Sequence, residues 1–214
     1  MIVGSYSHIF WDWNGTLLDD VQQSLDCFSR MLAERGLKPI EGLDDYRKHF
    51  SFPVRDYYRH IGFDTEREPF EQLAVQYMKL YHAPDMIWSL HGDVEATLRW
   101  ISDRGIRQVI LTASERGYLD AQLSSFDIDS FFDTLLTLDN IHADGKIGIG
   151  RLYLERNPVR RGLMIGDSVH DHEVASALGL DCVLVARGHN SKDVLAACDV
   201  PVFENLTEVC SFLS

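Results

Sequence analysis

Four short apolar runs are spaced along the chain: Ile9-Phe10-Trp11, Val109-Ile110-Leu111, Leu163-Met164-Ile165 and Cys182-Val183-Leu184-Val185. None alternates with polar residues, so each reads as a strand covered on both faces, the pattern of a parallel sheet packed between helices. From about residue 20 to 86 the period is helical instead. Val21, Leu25, Phe28 and Leu32 share one face before Gly36, and Pro53 fits the first turn of a short helix ending before Gly62. Phe70, Leu73, Tyr77 and Leu80 line a longer helix that Pro84 closes. Beyond residue 86, helix and strand alternate strictly. A helix around Val94, Leu98 and Ile101 ends at Gly105, a strand covers 106–111, and a helix carries Tyr118, Gln122 and Phe126. A strand over 134–138, a helix over about 148–156, a strand over 162–165, a helix to Leu178 and a strand over 181–185 follow. This order predicts an α/β fold, a doubly wound parallel sheet with a helical insertion after its first strand.

Three of the apolar runs end in chemistry. The first passes into Asp12-Trp13-Asn14-Gly15-Thr16-Leu17-Leu18-Asp19, the second into Thr112-Ala113-Ser114, and the third into Gly166-Asp167-Ser168-Val169-His170-Asp171. Ligands of open α/β sheets lie beyond the carboxyl ends of the strands, so these residues are expected at one edge. If Asp12, Asp167 and Asp171 converge, each charged pair at ~4 Å costs about 4 kcal/mol at an effective dielectric of about 20. A cation must offset that repulsion, and a donor set of oxygens alone suits Mg²⁺. Ser114, followed by Glu115, reads as a helix cap. His170 and His172 flank Asp171 and are expected at the site's rim or in solvent rather than on a transition metal.

The motifs Asp12-x-x-Gly15-Thr16-Leu17-x-Asp19 and Gly166-Asp167-x-x-x-Asp171, in this order and strand context, resemble the haloacid dehalogenase superfamily of hydrolases. The likeness is to its phosphoglycolate-phosphatase-like members. The resemblance implies a Rossmann-like core over 1–19 and 87–214, with a helical cap over 20–86 that selects the substrate. It implies hydrolysis of a small phosphorylated metabolite, with Asp12 as the nucleophile and an aspartyl-phosphate as intermediate. Mg²⁺ would be held by Asp12, Asp167 and the backbone carbonyl of Asn14, with Asp171 supporting the shell. Gly15, Thr16, Thr112 and Ala113 would meet the phosphate, and Lys146 would offset its developing charge. A tight turn at the Asp-Gly pair before Lys146, with Gly148 and Gly150 beyond, would carry the ammonium into the site. Lys48 and Arg55 in the cap, and His189 on a late loop, are candidates for the substrate's far end.

Asn14 departs from the family pattern, because the phosphatases carry a second aspartate there. Two alternatives therefore stay open. One is C–P bond hydrolysis like that of phosphonoacetaldehyde hydrolases, in which Lys48 would form a Schiff base. The other is a regulatory protein that binds phosphate and turns over little.

Composition narrows the partners. Among 214 residues, 33 acidic against 20 basic give a formal charge of −13, which disfavours nucleic acid and anionic membrane surfaces. The four cysteines show no C-x-x-C spacing and read as reduced small hydrophobes. No run approaches the ~18 apolar residues of a membrane span, and no leader pattern opens the chain, so a cytoplasmic protein is expected.

Overall fold

The computed structural model describes residues 6–138 and 145–214. Residues 1–5 of the expected core, and the turn expected just before Gly145, lie outside the described residues. The strands are β1 (His8–Trp11), β2 (Arg107–Glu115), β3 (Thr134–Leu138), β4 (Gly162–Gly166), β5 (Asp181–Val185) and β6 (Val202–Phe203). All pair in parallel, in the order β3-β2-β1-β4-β5-β6. The helices are α1 (Val21–Glu34), α2 (Leu43–His49), α3 (Val54–His60), α4 (Phe70–Tyr81), α5 (Val94–Ser102), α6 (Arg116–Leu123), α7 (Lys146–Arg156), α8 (Val169–Leu178), α9 (Lys192–Leu195) and α10 (Leu206–Leu213).

Alternation within each apolar run builds two cores. Ile9, Trp11, Ile110, Ile165, Val183 and Val185 pack on one face beneath α5, α6 and α10. Phe10, Val109, Leu111, Met164, Cys182 and Leu184 pack on the other, beneath α7 and α8. Both faces are covered, which is why the strands tolerate no polar alternation. α1 to α4 close over a third cluster of their own, rich in rings, in which Phe28 meets Tyr57, Tyr58 and Tyr77 at 4.8–5.3 Å between centroids.

The chain leaves β1 towards β2 and later returns to the other side of β1 as β4. The switch point of this doubly wound sheet is therefore the crevice between the carboxyl ends of β1 and β4, where such folds bind ligands.

The structure extends the sequence expectations in places. β2 runs on through Thr112, Ala113 and Ser114 to Glu115, with its register against β3 shifting between Leu111 and Glu115. α7 starts at Lys146, two residues early. α2, β6, α9 and α10 lie outside the elements predicted from the sequence. α2 holds only Leu43 and Tyr46 as apolar positions and β6 has two residues, too little for a period to register. All four cysteines are free. No described helix is long and apolar enough to cross a membrane.

Candidate active site

Strand pairing brings the carboxylates together. Trp11 is registered with Ile165, and the Asp12 amide donates to the Ile165 carbonyl at 3.0 Å, so Asp12 and Asp167 emerge side by side at the switch point. Asp171 joins them through the first turn of α8. The Ser168 hydroxyl donates to Asp171 Oδ2 at 2.7 Å, and the Ser168 amide donates to the same oxygen at 3.1 Å. This reciprocal capping box fixes the carboxylate while satisfying the helix end. One oxygen from each of the three aspartates lies within 4.8 Å of the others, and all three residues are buried.

Lys146, the first residue of α7, enters this cluster with 4 % of its side chain exposed. Its Nζ donates to Asp12 Oδ1 at 2.5 Å and to Asp171 Oδ1 at 2.9 Å. Burial disfavours the ammonium, but the two carboxylates outweigh it and hold the lysine above its ordinary range. Asp12 is pushed well up, by burial and then by the charge of Asp171, against the pull of Lys146. Burial also works against Asp171, yet Lys146 and the Ser168 bond hold it below the usual carboxylate range. Asp167 is raised by burial and by Asp171, with His189 opposing. The cluster sets three buried carboxyl groups against one ammonium among the described residues. Its donors are anionic oxygens alone, which fits a hard divalent cation.

Two glycines make room for Asp167. A Cβ on Gly15, at φ +75°, would stand 2.5 Å from Asp167 Oδ2, and one on Gly188 would overlap the same side chain. That clearance lets the Thr16 hydroxyl donate to Asp167 Oδ1 at 2.7 Å and the His189 amide to Oδ2 at 2.6 Å.

A second network surrounds Asn14. Its Nδ2 donates to Asp20 Oδ2 at 2.9 Å and to the Tyr81 hydroxyl at 2.7 Å, and its Oδ1 accepts from Ser114 Oγ at 2.8 Å. Asp20 also accepts from the Tyr81 hydroxyl and from the Gly15 amide at 2.7 Å, and it faces His189 Nε2 at 3.7 Å. Burial raises Asp20, but His189, Tyr81 and Asn14 overcome it and leave the carboxyl below its ordinary range. Burial likewise opposes the His189 cation, which Asp20, Asp167 and Asp12 nevertheless raise to about 9.

Above both networks lies a cavity of about 880 Å³, floored by Asp12, Asn14, Asp167 and Lys146 and roofed by α1 to α4. α2 fastens that roof to the loop after β5. Arg47 donates to the carbonyls of Gly188 and Arg187, both at 2.9 Å, and Asn190 Nδ2 donates to the Phe50 carbonyl at 2.8 Å. Phe52 stacks on His170 at 4.4 Å, and His82 on Tyr118 of α6 at 3.7 Å.

A family model described as haloacid dehalogenase-like hydrolase matches residues 9–185. The chain belongs to that family. A phosphoglycolate phosphatase from Pseudomonas savastanoi pv. phaseolicola is 26 % identical over 193 residues, covering 85 % of this chain and 70 % of the relative. Phosphoglycolate phosphatase 1 from Pseudomonas aeruginosa is 21 % identical over 213 residues, covering 94 % and 77 %. Among solved structures, a haloacid dehalogenase-like family hydrolase from Streptococcus pneumoniae superposes with a TM-score of 0.83 at 18 % identity, covering 98 % of this chain and 99 % of that one.

In this haloacid dehalogenase-like hydrolase, the sequence-predicted residues divide into three groups. Asp12, Asn14, Thr112, Ala113, Lys146, Asp167 and His189 all line the cavity, and Asp171 backs it through Lys146. Gly15 and Thr16 do not line it. Expected at the phosphate, they are turned away: the Gly15 amide is bonded to Asp20 and Leu18, and the Thr16 hydroxyl to Asp167. Lys48, expected at the substrate's far end, is exposed and outside the cavity, because α2 turns the neighbouring Arg47 and Tyr46 inward instead. Among the described residues Lys146 is the one lysine in the cavity wall, so the Schiff-base alternative has no residue in Lys48. Arg55 does line the cavity, but its Nη2 is bonded to Glu71 at 2.6 Å. Ser114 is not a helix cap, since α6 begins after Glu115 and Ser114 holds Asn14.

Asp20 and Tyr81 are the residues the sequence motifs did not single out as anchors of the site. The motif's final aspartate aligns with Asp19, whose side chain is 54 % exposed, whereas Asp20 is 1 % exposed. Asp20 directly precedes α1, and that position rather than the motif carries its inward orientation.

The His82 stack provides a pH-dependent contact between α4 and α6. Burial holds the imidazole down at about 4, against about 6.5 in an unfolded chain. The unfolded state therefore binds this proton first, and the stability linked to His82 is present above pH 6.5 and lost as pH falls towards 4. His82→Phe keeps a stacking ring and is expected to remove this dependence. Urea melts of parent and variant at pH 7.5 and 4.5 should differ by of order 1 kcal/mol in their pH response, allowing for solvent screening of a half-buried ring.

Proposed function

We propose that this hydrolase is a Mg²⁺-dependent phosphatase of small phosphate monoesters working through an aspartyl-phosphate on Asp12. The observation that carries the reading is the buried convergence of Asp12, Asp167 and Asp171 on Lys146 at the floor of the switch-point cavity. The Pseudomonas relatives, which are phosphoglycolate phosphatases, support the same chemistry class. In this reading Asp12, Asp167 and the Asn14 backbone carbonyl would hold Mg²⁺, with Asp171 behind them, and the ion would offset charge on the carboxylates and on the phosphoryl group.

Asp12 is suited to the nucleophile's role. Oδ1 is held by Lys146, and among the described residues no hydrogen bond engages the other oxygen. That oxygen attacks phosphorus, the bond from phosphorus to the leaving oxygen breaks, and its electron pair departs with that oxygen. Thr112 and the Lys146 ammonium bind the phosphoryl oxygens as charge gathers on them. Water then attacks the phosphorus of the aspartyl-phosphate, releasing inorganic phosphate and restoring the carboxylate. Residues 20–86 act as a cap on the core of residues 1–19 and 87–214, and their closure excludes water from the first step.

Phosphate release from acetyl phosphate and from a panel of phosphate monoesters, with and without Mg²⁺, tests this reading. Turnover that disappears on chelation is expected. The melting temperature should also rise with Mg²⁺ concentration, and Asp167→Ala should abolish that rise. No release from any substrate and no Mg²⁺-dependent shift would refute the assignment.

A further inference from the structure

The cavity has more to say about the leaving group than the phosphate end does. Beyond Asn14 its wall is built largely of rings, among them Phe50, Phe52, Phe70, Tyr77, Tyr81 and Tyr118. The tyrosine hydroxyls nearest the floor are engaged by protein. Tyr81 donates to Asp20, Tyr77 donates to Ser24 Oγ at 3.0 Å, and Tyr46 shares a hydrogen bond with His189 Nδ1 at 2.8 Å. What these side chains offer a ligand is therefore ring surface rather than hydroxyls.

Charge in the upper cavity disfavours an anionic leaving group. Four carboxylates, Asp56, Glu71, Glu115 and Glu173, line it against one guanidinium, Arg55. That guanidinium is bonded to Glu71 and lies over the Phe70 ring at 4.9 Å. His189 has one nitrogen on Tyr46 and the other facing Asp20. Among the described residues, a second acidic group on the substrate, such as the carboxylate of phosphoglycolate, would find every cation lining the cavity already paired: Arg55 with Glu71, His189 with Asp20, and Lys146 with Asp12 and Asp171. The volume, about 880 Å³, is that of a site for a drug-sized ligand.

The floor supplies an independent constraint. Both amide protons of Asn14 are engaged, one by Asp20 and one by the Tyr81 oxygen. Asp20 accepts hydrogen bonds from three donors and offers none. Among the described residues the protons nearest Asn14 are committed: Tyr81 donates to Asp20, Ser114 to the Asn14 oxygen, and His189 is turned to Asp20 and Tyr46. A phenolic oxygen, with a pKa of about 10, can leave as its anion. An alkoxide, with a basicity nearer that of hydroxide (water's pKa is about 15.7), needs a proton as the bond breaks.

The ring-lined wall and a floor whose protons are committed to protein acceptors agree on one chemistry. We infer that the substrate is an aryl phosphate, a phosphate monoester whose leaving oxygen is attached directly to an aromatic ring bearing no further anionic group. This rests on the phosphatase reading above and narrows it. Attack by Asp12 breaks the bond between phosphorus and the aryl oxygen, the phenolate departs with the electron pair, and it takes its proton from water outside the floor network.

Four substrates and two inhibitors separate the components. Acetyl phosphate needs neither a proton nor the ring-lined wall, so its hydrolysis reports the Asp12 chemistry alone. Phenyl phosphate, benzyl phosphate and phosphoglycolate then vary the leaving oxygen and the ring separately. The expected kcat/KM for phenyl phosphate exceeds that for phosphoglycolate by at least about 100-fold. Phenyl should exceed benzyl phosphate at least about tenfold in kcat, since only the leaving oxygen differs in kind. Without turnover, phenylphosphonate should bind the Mg²⁺-loaded protein at least about tenfold tighter than phosphonoacetate, a difference of about 1.4 kcal/mol. If acetyl phosphate is hydrolysed but phosphoglycolate equals or exceeds phenyl phosphate, or phosphonoacetate binds the tighter, the aryl assignment is overturned while the phosphatase reading stands. If acetyl phosphate is not hydrolysed either, both are overturned.

Discussion

Asp12→Asn is expected to reduce phosphate release by about 10⁴-fold or more, the scale on which removal of a covalent nucleophile acts. The fold should not suffer with it. In the parent, burial and the charges of Asp171 and Asp167 push the Asp12 carboxyl well up, so its ionised form is a burden that the asparagine relieves. Lys146 loses one partner but keeps Asp171 at 2.9 Å. A melting temperature equal to or above that of the parent, together with lost turnover, therefore separates a chemical role from a structural one. Residual turnover within tenfold of the parent would show that another group attacks phosphorus.

Asn14→Asp should act in the opposite direction, and selectively. The new carboxyl would lie beside Asp20 Oδ2, where the amide nitrogen now stands at 2.9 Å. Two carboxylates at ~4 Å repel by about 4 kcal/mol at an effective dielectric of about 20, so the pair retains a proton that neither would hold alone. That proton faces the leaving oxygen. General acid assistance is worth about 10²–10⁴ in rate, and a gain of at least about tenfold in kcat is expected for alkyl esters such as benzyl phosphate. Phenyl phosphate, whose leaving oxygen needs no proton, should gain little. The pair titrates as a unit, so the gain should fall away as pH rises and the shared proton is lost. An unchanged alkyl rate across pH 5 to 8 would mean that position 14 does not face the leaving group.

The strand ends were legible in the sequence because a parallel sheet leaves no choice about where they go. Asp12, Thr112 and Asp167 each follow an apolar run, and strand pairing alone delivers them to one crevice. Lys146 follows no such run; the family resemblance alone pointed to it, and its place as the first residue of α7 is what carries it into the cluster. Gly15 and Thr16 show what motif reading leaves out: in the structure they give Asp167 its clearance and its hydrogen bond. The ring-lined wall was hidden for another reason. Tyr77 shares the apolar stripe of α4 with Phe70 and Leu73, and helical spacing cannot distinguish a stripe that is all core from one whose edge turns into a cavity. Tyr46 and Phe50 belong to α2 and its C-cap and Tyr81 ends α4, and only the packing of these helices over the sheet brings them together.

Covalent catalysis by Asp12 is tested most directly by acid-quenching the Mg²⁺-loaded protein during turnover of phenyl phosphate and weighing its proteolytic peptides. One phosphoryl group is predicted on the peptide that contains Asp12, absent in Asp12→Asn and more abundant when the water step is the slower. Steady turnover with no phosphoryl group on that peptide, or with the group on another residue, would contradict it.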